Sequence, residues 1–357
     1  MFKKILLVLI VLIMAGAGAG YYYYTEQLKP VSNDQAIELF EVSKNEGLNR
    51  VVDNLQTQGF IKNAMLTKFV AKQENFTNTY AGKFQISKSM TPQEILSIIT
   101  DKSKIYIEYF DVKILPGKWA KDYAAEIESK TGISESAILE KWNDLEYLNK
   151  LINEYQVLTE DILNDNTVVK LEGYFAPETY KINKEHSSIE EITKRILDPT
   201  EKFYLDNKEL FDKSSLSVHE LFTLASMLQF EATNRQARPE FIAANEQQLV
   251  ASVFFNRLSI GMKLQSSVPV CYALYDFSDW QECEKNIAID SLYNTYRYAG
   301  LPVGPVSNPT QSALSAVLNP IKSDYLFFVA DVYNNTGTYF SKTFAEHDKY
   351  VKELLGR

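Results

Sequence analysis

Between Ile5 and Thr25 the chain carries no charged side chain. As a helix rising 1.5 Å per residue, that run spans about 31 Å, the thickness of a bilayer's hydrocarbon core. Lys3 and Lys4 precede it and four tyrosines, Tyr21 to Tyr24, close it. Lysines stay cytoplasmic and aromatic belts sit at interfaces, so residues 1–4 read as a cytoplasmic N-terminus and 5–25 as one transmembrane helix. The body then lies outside the cytoplasm. A cleaved signal peptide is the alternative, because Ala15-Gly16-Ala17 and Ala17-Gly18-Ala19 offer small-residue cleavage sites. No cysteine lies near position 20, which excludes lipid attachment to an N-terminal cysteine.

The 357 residues exceed one ordinary domain, and 45% apolar with 13% aromatic content is ample for packed cores. A net charge of −9 argues against a nucleic-acid partner, which would meet a basic face. Cys271 and Cys283 are the only cysteines, and an exported protein could join them. His186, His219 and His347 make no metal-ligand spacing, so neither metal nor cofactor is expected.

After Pro30, a compact mixed unit runs to about residue 104. Its expected elements are a strand at 36–42, helices at 47–59 and 63–72, a strand at 82–89, and a helix opened by the Thr91-Pro92-Gln93-Glu94 capping box. A second small α+β unit with its connector is expected over 105–165. It starts with KIYIEYFDVKI (104–114) as one strand, then a Pro116-Gly117 turn, a helix over 119–130 ending before Gly132, and helices near 136–152. The rest, 166–357, reads as a mixed α+β domain. In it Ser188 caps a helix running to about Leu197, SALSAVLNP forms another, and YLFFVAD (325–331) is a strand before a hairpin-like Asn334 to Gly337.

The chemistry concentrates between Ser217 and Tyr272. Ser217-Val218-His219-Glu220 has capping-box spacing, which sets the helix phase. Leu221, Leu224, Ala225 and Leu228 then form one apolar stripe, and Glu231 falls three past Leu228 and seven past Leu224. A carboxylate continuing a buried stripe loses hydration, the condition that suits a general acid. Equally, Glu231 can end the helix and turn to solvent. A second helix, about Glu246 to Leu258, should pack on the first and stop at Gly261. Gln265, Ser266 and Ser267 come next, side chains suited to holding sugar hydroxyls, though Ser-Ser before Val-Pro is also an ordinary loop.

Two other segments carry candidates. LEGYFAPETY (171–180) sets Glu172, Glu178 and Tyr174 among aromatics; this suits carbohydrate stacking and equally suits a packed domain boundary. The turn-rich loop YNTYRYAGLPVGPVSNP (293–309) holds Asn294, Tyr296 and Arg297.

These two segments, with LASMLQFEAT (224–233), VASVFFNRLSIGMKLQ (250–265), NPIKSDYLFFVAD (319–331) and SKTFAEHD (341–348), resemble the endolytic murein transglycosylases of the MltG (YceG-like) type. The resemblance covers nearly the whole chain. It implies an N-terminal anchor, a LysM-like unit over 30–104, and a catalytic domain over 166–357 in which Glu231 matches the catalytic acid. Gln265, Asn294, Tyr296 and Tyr174 become candidate substrate-binding residues. The implied substrate is the peptidoglycan glycan strand, cut at the MurNAc-GlcNAc bond to leave a 1,6-anhydro end, with a role as terminase of glycan elongation beside peptidoglycan synthases. Departures are visible too: Gln229 stands where the family has a second acid, Ala232 separates Glu231 from Thr233, and the connector from Thr233 to Gln248 is longer. Gln265-Ser266-Ser267-Val268 replaces Gln-Thr-Asp-Pro, and Val303 replaces a proline of Gly-Leu-Pro-Pro-Gly.

Two rival readings stay open. A glycan hydrolase would pair Glu231 with Glu178 or Glu172, since hydrolysis normally needs two carboxylates. A catalytically silent wall-binding protein would rely on the N-terminal unit alone.

Overall fold

The computed structural model describes residues 2–231, 243–275, 280–331 and 337–356. The fold is mixed α+β and divides into two compact units, Met1–Glu108 and Tyr109–Arg357.

The first unit opens with helix α1 (Phe2–Gln27). Its segment Lys3–Gln27, with mean hydropathy 2.3, is long and apolar enough to cross a membrane. Strand β1 (Ile37–Val42), helices α2 (Leu48–Thr57) and α3 (Ala64–Gln73), strand β2 (Gly82–Ser87) and helix α4 (Pro92–Ile99) come after it, much as their patterns predict. The Thr91–Glu94 capping box forms as its spacing demands. β1 and β2 pair antiparallel, Phe40 opposite Phe84, and a short strand β3 (Ile105–Tyr106) adds to β2. Phe40, Phe84, Ile86, Val51, Leu55 and Ile95 fill this unit's core.

The run 104–114 is not one strand. It breaks after Tyr106, and β4 (Tyr109–Lys113) belongs to the second unit, where it pairs antiparallel with β5 (Thr179–Asn183). Alternation alone cannot say with which partner each half of such a run hydrogen-bonds. Between them lie α5 (Ala120–Thr131), α6 (Glu135–Lys141) and α7 (Leu145–Glu154); α8 (Ile189–Asp206) and α9 (Lys208–Lys213) come after β5. α8 runs past Pro199 to Asp206, nine residues beyond the expected end at Leu197. Its inner face, Ile192, Ile196, Thr200 and Phe203, stays buried throughout, so packing outweighs the lost hydrogen bond.

The remaining elements are α10 (Val218–Glu231), α11 (Ala243–Ser259), α12 (Val268–Leu274), α13 (Trp280–Lys285), α14 (Gln311–Leu318), the antiparallel pair β6 (Phe327–Ala330) and β7 (Thr338–Ser341), and α15 (Phe344–Leu355). α12 begins directly after the Gln265, Ser266 and Ser267 run; Pro269 falls in its first turn, where no amide is needed. Thr233 and most of its connector, together with the turn residues 334–336, lie outside the described residues. One hydrophobic core runs from Val112 to Val317, so residues 109–165 pack with the segments beyond 166.

Candidate active site

α10 starts where its capping box puts it: Ser217 N–H donates to Glu220 Oε2 at 2.7 Å, and Glu220 N–H returns to Ser217 Oγ at 3.2 Å. Leu224, Ala225 and Leu228 are fully buried, and the helix packs on α11 and α14. Polar ties fix it as well. Ser226 Oγ accepts from Val306 N–H at 2.9 Å, and Ser307 Oγ donates to the Ser226 carbonyl at 3.0 Å. Gln229 faces α14, where its Oε1 accepts from Thr310 N–H and Thr310 Oγ1, both at 2.9 Å. This position thus braces a helix start instead of entering the cleft.

Half-buried Glu231 ends α10 in a cleft of about 600 Å³. Ser266 Oγ donates to Glu231 Oε1 at 2.6 Å. Ser266 is itself held: its amide donates to Thr295 Oγ1 at 3.1 Å, and Thr295 Oγ1 donates back to its carbonyl at 3.2 Å. Just before it, Gln265 adopts a left-handed φ of +50°, a conformation costly for a non-glycine residue and characteristic of functional loops. Gln265 and Tyr296 both line the cleft with Glu231.

Asn294 and Tyr174 do not. Asn294 is buried; its Nδ2 donates to the carbonyls of Ile287 and Ile289 (2.8 and 2.7 Å), and its Oδ1 accepts from Tyr296 N–H at 3.0 Å. Its amide is spent on shaping the loop that presents Tyr296, leaving none for a sugar. Tyr174 is also buried, with its hydroxyl 2.9 Å from His219 Nδ1 and its ring stacked on Phe222.

The second carboxylates of the hydrolase reading fare no better. Glu172 is 1% exposed and lies outside the cleft. It accepts from Ala120 N–H at the start of α5 (2.9 Å), Asn308 Nδ2 (2.6 Å) and Tyr272 Oη (3.2 Å). Burial pushes its carboxyl up to about 8, against the pull of those hydrogen bonds. Asn308 also accepts from Phe175 N–H at 2.9 Å, so Glu172 and Asn308 bind three loops into one frame. Gly173 completes it: at φ +90°, a Cβ there would sit 2.4 Å from Pro305 Cβ. Glu178 is likewise not a cleft residue.

Among the described residues, three charged or titratable wall residues escape the sequence reading: Arg257, Glu284 and His347. Arg257 is buried, with Nε donating to the Leu326 carbonyl and Nη1 to the Leu264 carbonyl, each at 2.6 Å, and its guanidinium lies 5.2 Å from the Phe327 ring centre. Desolvation lowers its pKa while the charge of Glu231 opposes that, which puts the two within electrostatic reach. Arg257 lies seven past Val250 on α11, the same stripe-continuing position that marks Glu231. Burial and then Arg257 lower the pKa of His347, which stacks on Phe327. Nothing local marks His347 or Glu284 as cleft residues. Cys271 and Cys283 form a disulfide, as export suggested; the side chain of Trp280 lies outside the described residues.

Comparison with known proteins adds three findings. The description "YceG-like family" matches residues 40–353. An endolytic murein transglycosylase of Bacillus subtilis (strain 168) is 31% identical over 92% of this chain and 88% of its own length, and one from Streptococcus pneumoniae (serotype 2) is 28% identical over 92% and 60%. A crystal structure of the yceG-like protein lmo1499 from Listeria monocytogenes superposes with a TM-score of 0.61 at 30% identity, covering 88% of this chain and 99% of that one.

Proposed function

The chain belongs to the YceG-like family, and from that premise we propose that it is an endolytic murein lytic transglycosylase in which Glu231 is the single acid and base. The observation that carries this reading is the placement of Glu231: a half-buried carboxylate on α10, hydrogen-bonded to Ser266 in a cleft with aromatic walls. Relatives at 28–31% identity bear the name endolytic murein transglycosylase.

The chemistry needs one proton out and one back. Glu231 protonates the glycosidic oxygen as the MurNAc C1–O bond breaks, releasing the GlcNAc hydroxyl. Its carboxylate then takes the proton of the C6 hydroxyl while O6 bonds to C1, closing the 1,6-anhydro ring. No water is consumed. Ser266 suits both stages, because a hydroxyl that donates to a carboxylate can rotate to accept from a carboxylic acid. Arg257 supplies positive charge when Glu231 is ionised. Gln265 and Tyr296 hold the sugar, with the Tyr296 ring as a stacking face.

In the same reading, α1 anchors the protein with Lys3 and Lys4 in the cytoplasm, and 30–104 is a LysM-like wall-binding unit. The β1-α2-α3-β2 order, with its strands paired antiparallel, supports that assignment. The enzyme cuts nascent strands beside peptidoglycan synthases and so ends their elongation. Protease added to intact protoplasts should digest the body; protection of the C-terminal region would refute the topology.

The deciding experiment digests purified glycan strands in isotopically labelled water. Anhydro ends free of label are expected. Labelled reducing ends would mean hydrolysis, for which Glu284 is a second carboxylate that shares the cleft with Glu231.

A further inference from the structure

We propose that Glu284 is a substrate-positioning residue of the Glu231 cleft, and that the Cys271–Cys283 disulfide holds it there. The proposal rests on the function argued above. Glu284 reaches the cleft from α13, a helix of six residues. So short a helix has no stability of its own in water and takes its place from the contacts that tie it down. The tie is covalent: Cys283, the residue before Glu284, is bonded to Cys271 of α12. The two cysteines and Val270 form a small buried cluster against which Ile289 and Tyr296 pack. α12 is firmly set, since its Tyr272 is buried and donates to Glu172. A rigid path thus runs from the buried frame through the disulfide to the cleft wall.

Glu231 and Glu284 meet electrostatically at one phenol. Burial, then Glu231, then Glu284 push Tyr296 up to about 12, with Arg257 opposing. Glu231 carries both proton transfers of the proposed chemistry, which leaves Glu284 no proton to move. The two oxygens of a carboxylate group are hydrogen-bond acceptors. Beside the Tyr296 ring it would take the hydroxyl and acetamido N–H donors of a sugar next to the cleaved bond.

The test uses the full-length protein with peptide-free glycan strands and, in parallel, peptide-bearing ones. Glu284→Gln should raise KM roughly tenfold, the worth of one hydrogen bond to a charged acceptor, with kcat within about twofold and anhydro ends retained. The double variant Cys271→Ser/Cys283→Ser should raise KM similarly, and the triple variant should be no worse than either, because both changes remove the same contact. Thermal unfolding of each variant separates this from loss of fold. Wild-type KM in Glu284→Gln, or fully additive effects in the triple variant, would overturn the proposal. So would an effect confined to peptide-bearing strands, which would assign Glu284 to an ammonium group, or a collapse of kcat, which would make it part of the chemistry. If wild type makes no anhydro ends, the function reading fails instead. Glu284 can still be judged then by pull-down of the same strands: Glu231→Gln should bind them roughly tenfold more tightly than Glu231→Gln/Glu284→Gln, and equal binding would overturn the proposal.

Discussion

Ser266 Oγ lies 2.6 Å from Glu231 Oε1, and the two residues come from different elements, a loop and a helix end. The contact couples the α10 terminus to the loop that Thr295 braces. Removing the carboxylate function and removing its support should therefore give separable kinetic signatures.

Glu231→Gln keeps the shape of the side chain but can neither give up nor recover a proton. Turnover should fall by at least roughly 10²–10⁴-fold, while strand binding and thermal stability stay near wild type. Release of anhydro-ended fragments, followed by mass spectrometry, measures the loss.

Ser266→Ala should lower kcat by roughly tenfold with little change in KM, since it frees the carboxylate to leave its reactive orientation. Ser266→Thr restores the hydroxyl and should recover most of the rate. An equal loss in both variants would show that Ser266 matters for packing alone.

Glu172 makes stability depend on pH. Its folded carboxyl sits at about 8 against 4.5 for an ordinary one, so the folded state holds the proton more tightly than the unfolded chain. The stabilisation is fully present below about pH 4.5 and is lost as pH rises through about 8. Glu172→Gln removes this titration. Its melting temperature should fall less than that of wild type over the interval, by at least about 2 °C, which corresponds to about 1 kcal/mol at this size. Calorimetry at several pH values reads the difference.

Gly173→Ala should destabilise the second unit by at least about 2 kcal/mol, because the new methyl combines a left-handed φ with overlap against Pro305. Denaturant unfolding monitored by tyrosine and tryptophan fluorescence would measure it.

Local features of the sequence determined the apolar N-terminal helix, the capping boxes at Thr91, Ser188 and Ser217, and the stripe that carries Glu231 to the end of α10. Each depends on residues within a few turns of one another, where spacing and geometry are the same thing. Gln265 and Tyr296, which line the cleft, stand in segments whose polar and aromatic side chains are visible in the sequence. Asn294 and Tyr174 looked equally suitable, yet burial commits the first to backbone carbonyls and the second to contact with His219, and burial is a property of the packed chain alone. The same holds for the break after Tyr106, for the continuation of α8 through Pro199, and for the arrival of Arg257, Glu284 and His347 around one glutamate. Those outcomes depend on contacts between segments tens to hundreds of residues apart. Only the tertiary structure could choose which polar groups face the cleft and which are spent holding it open.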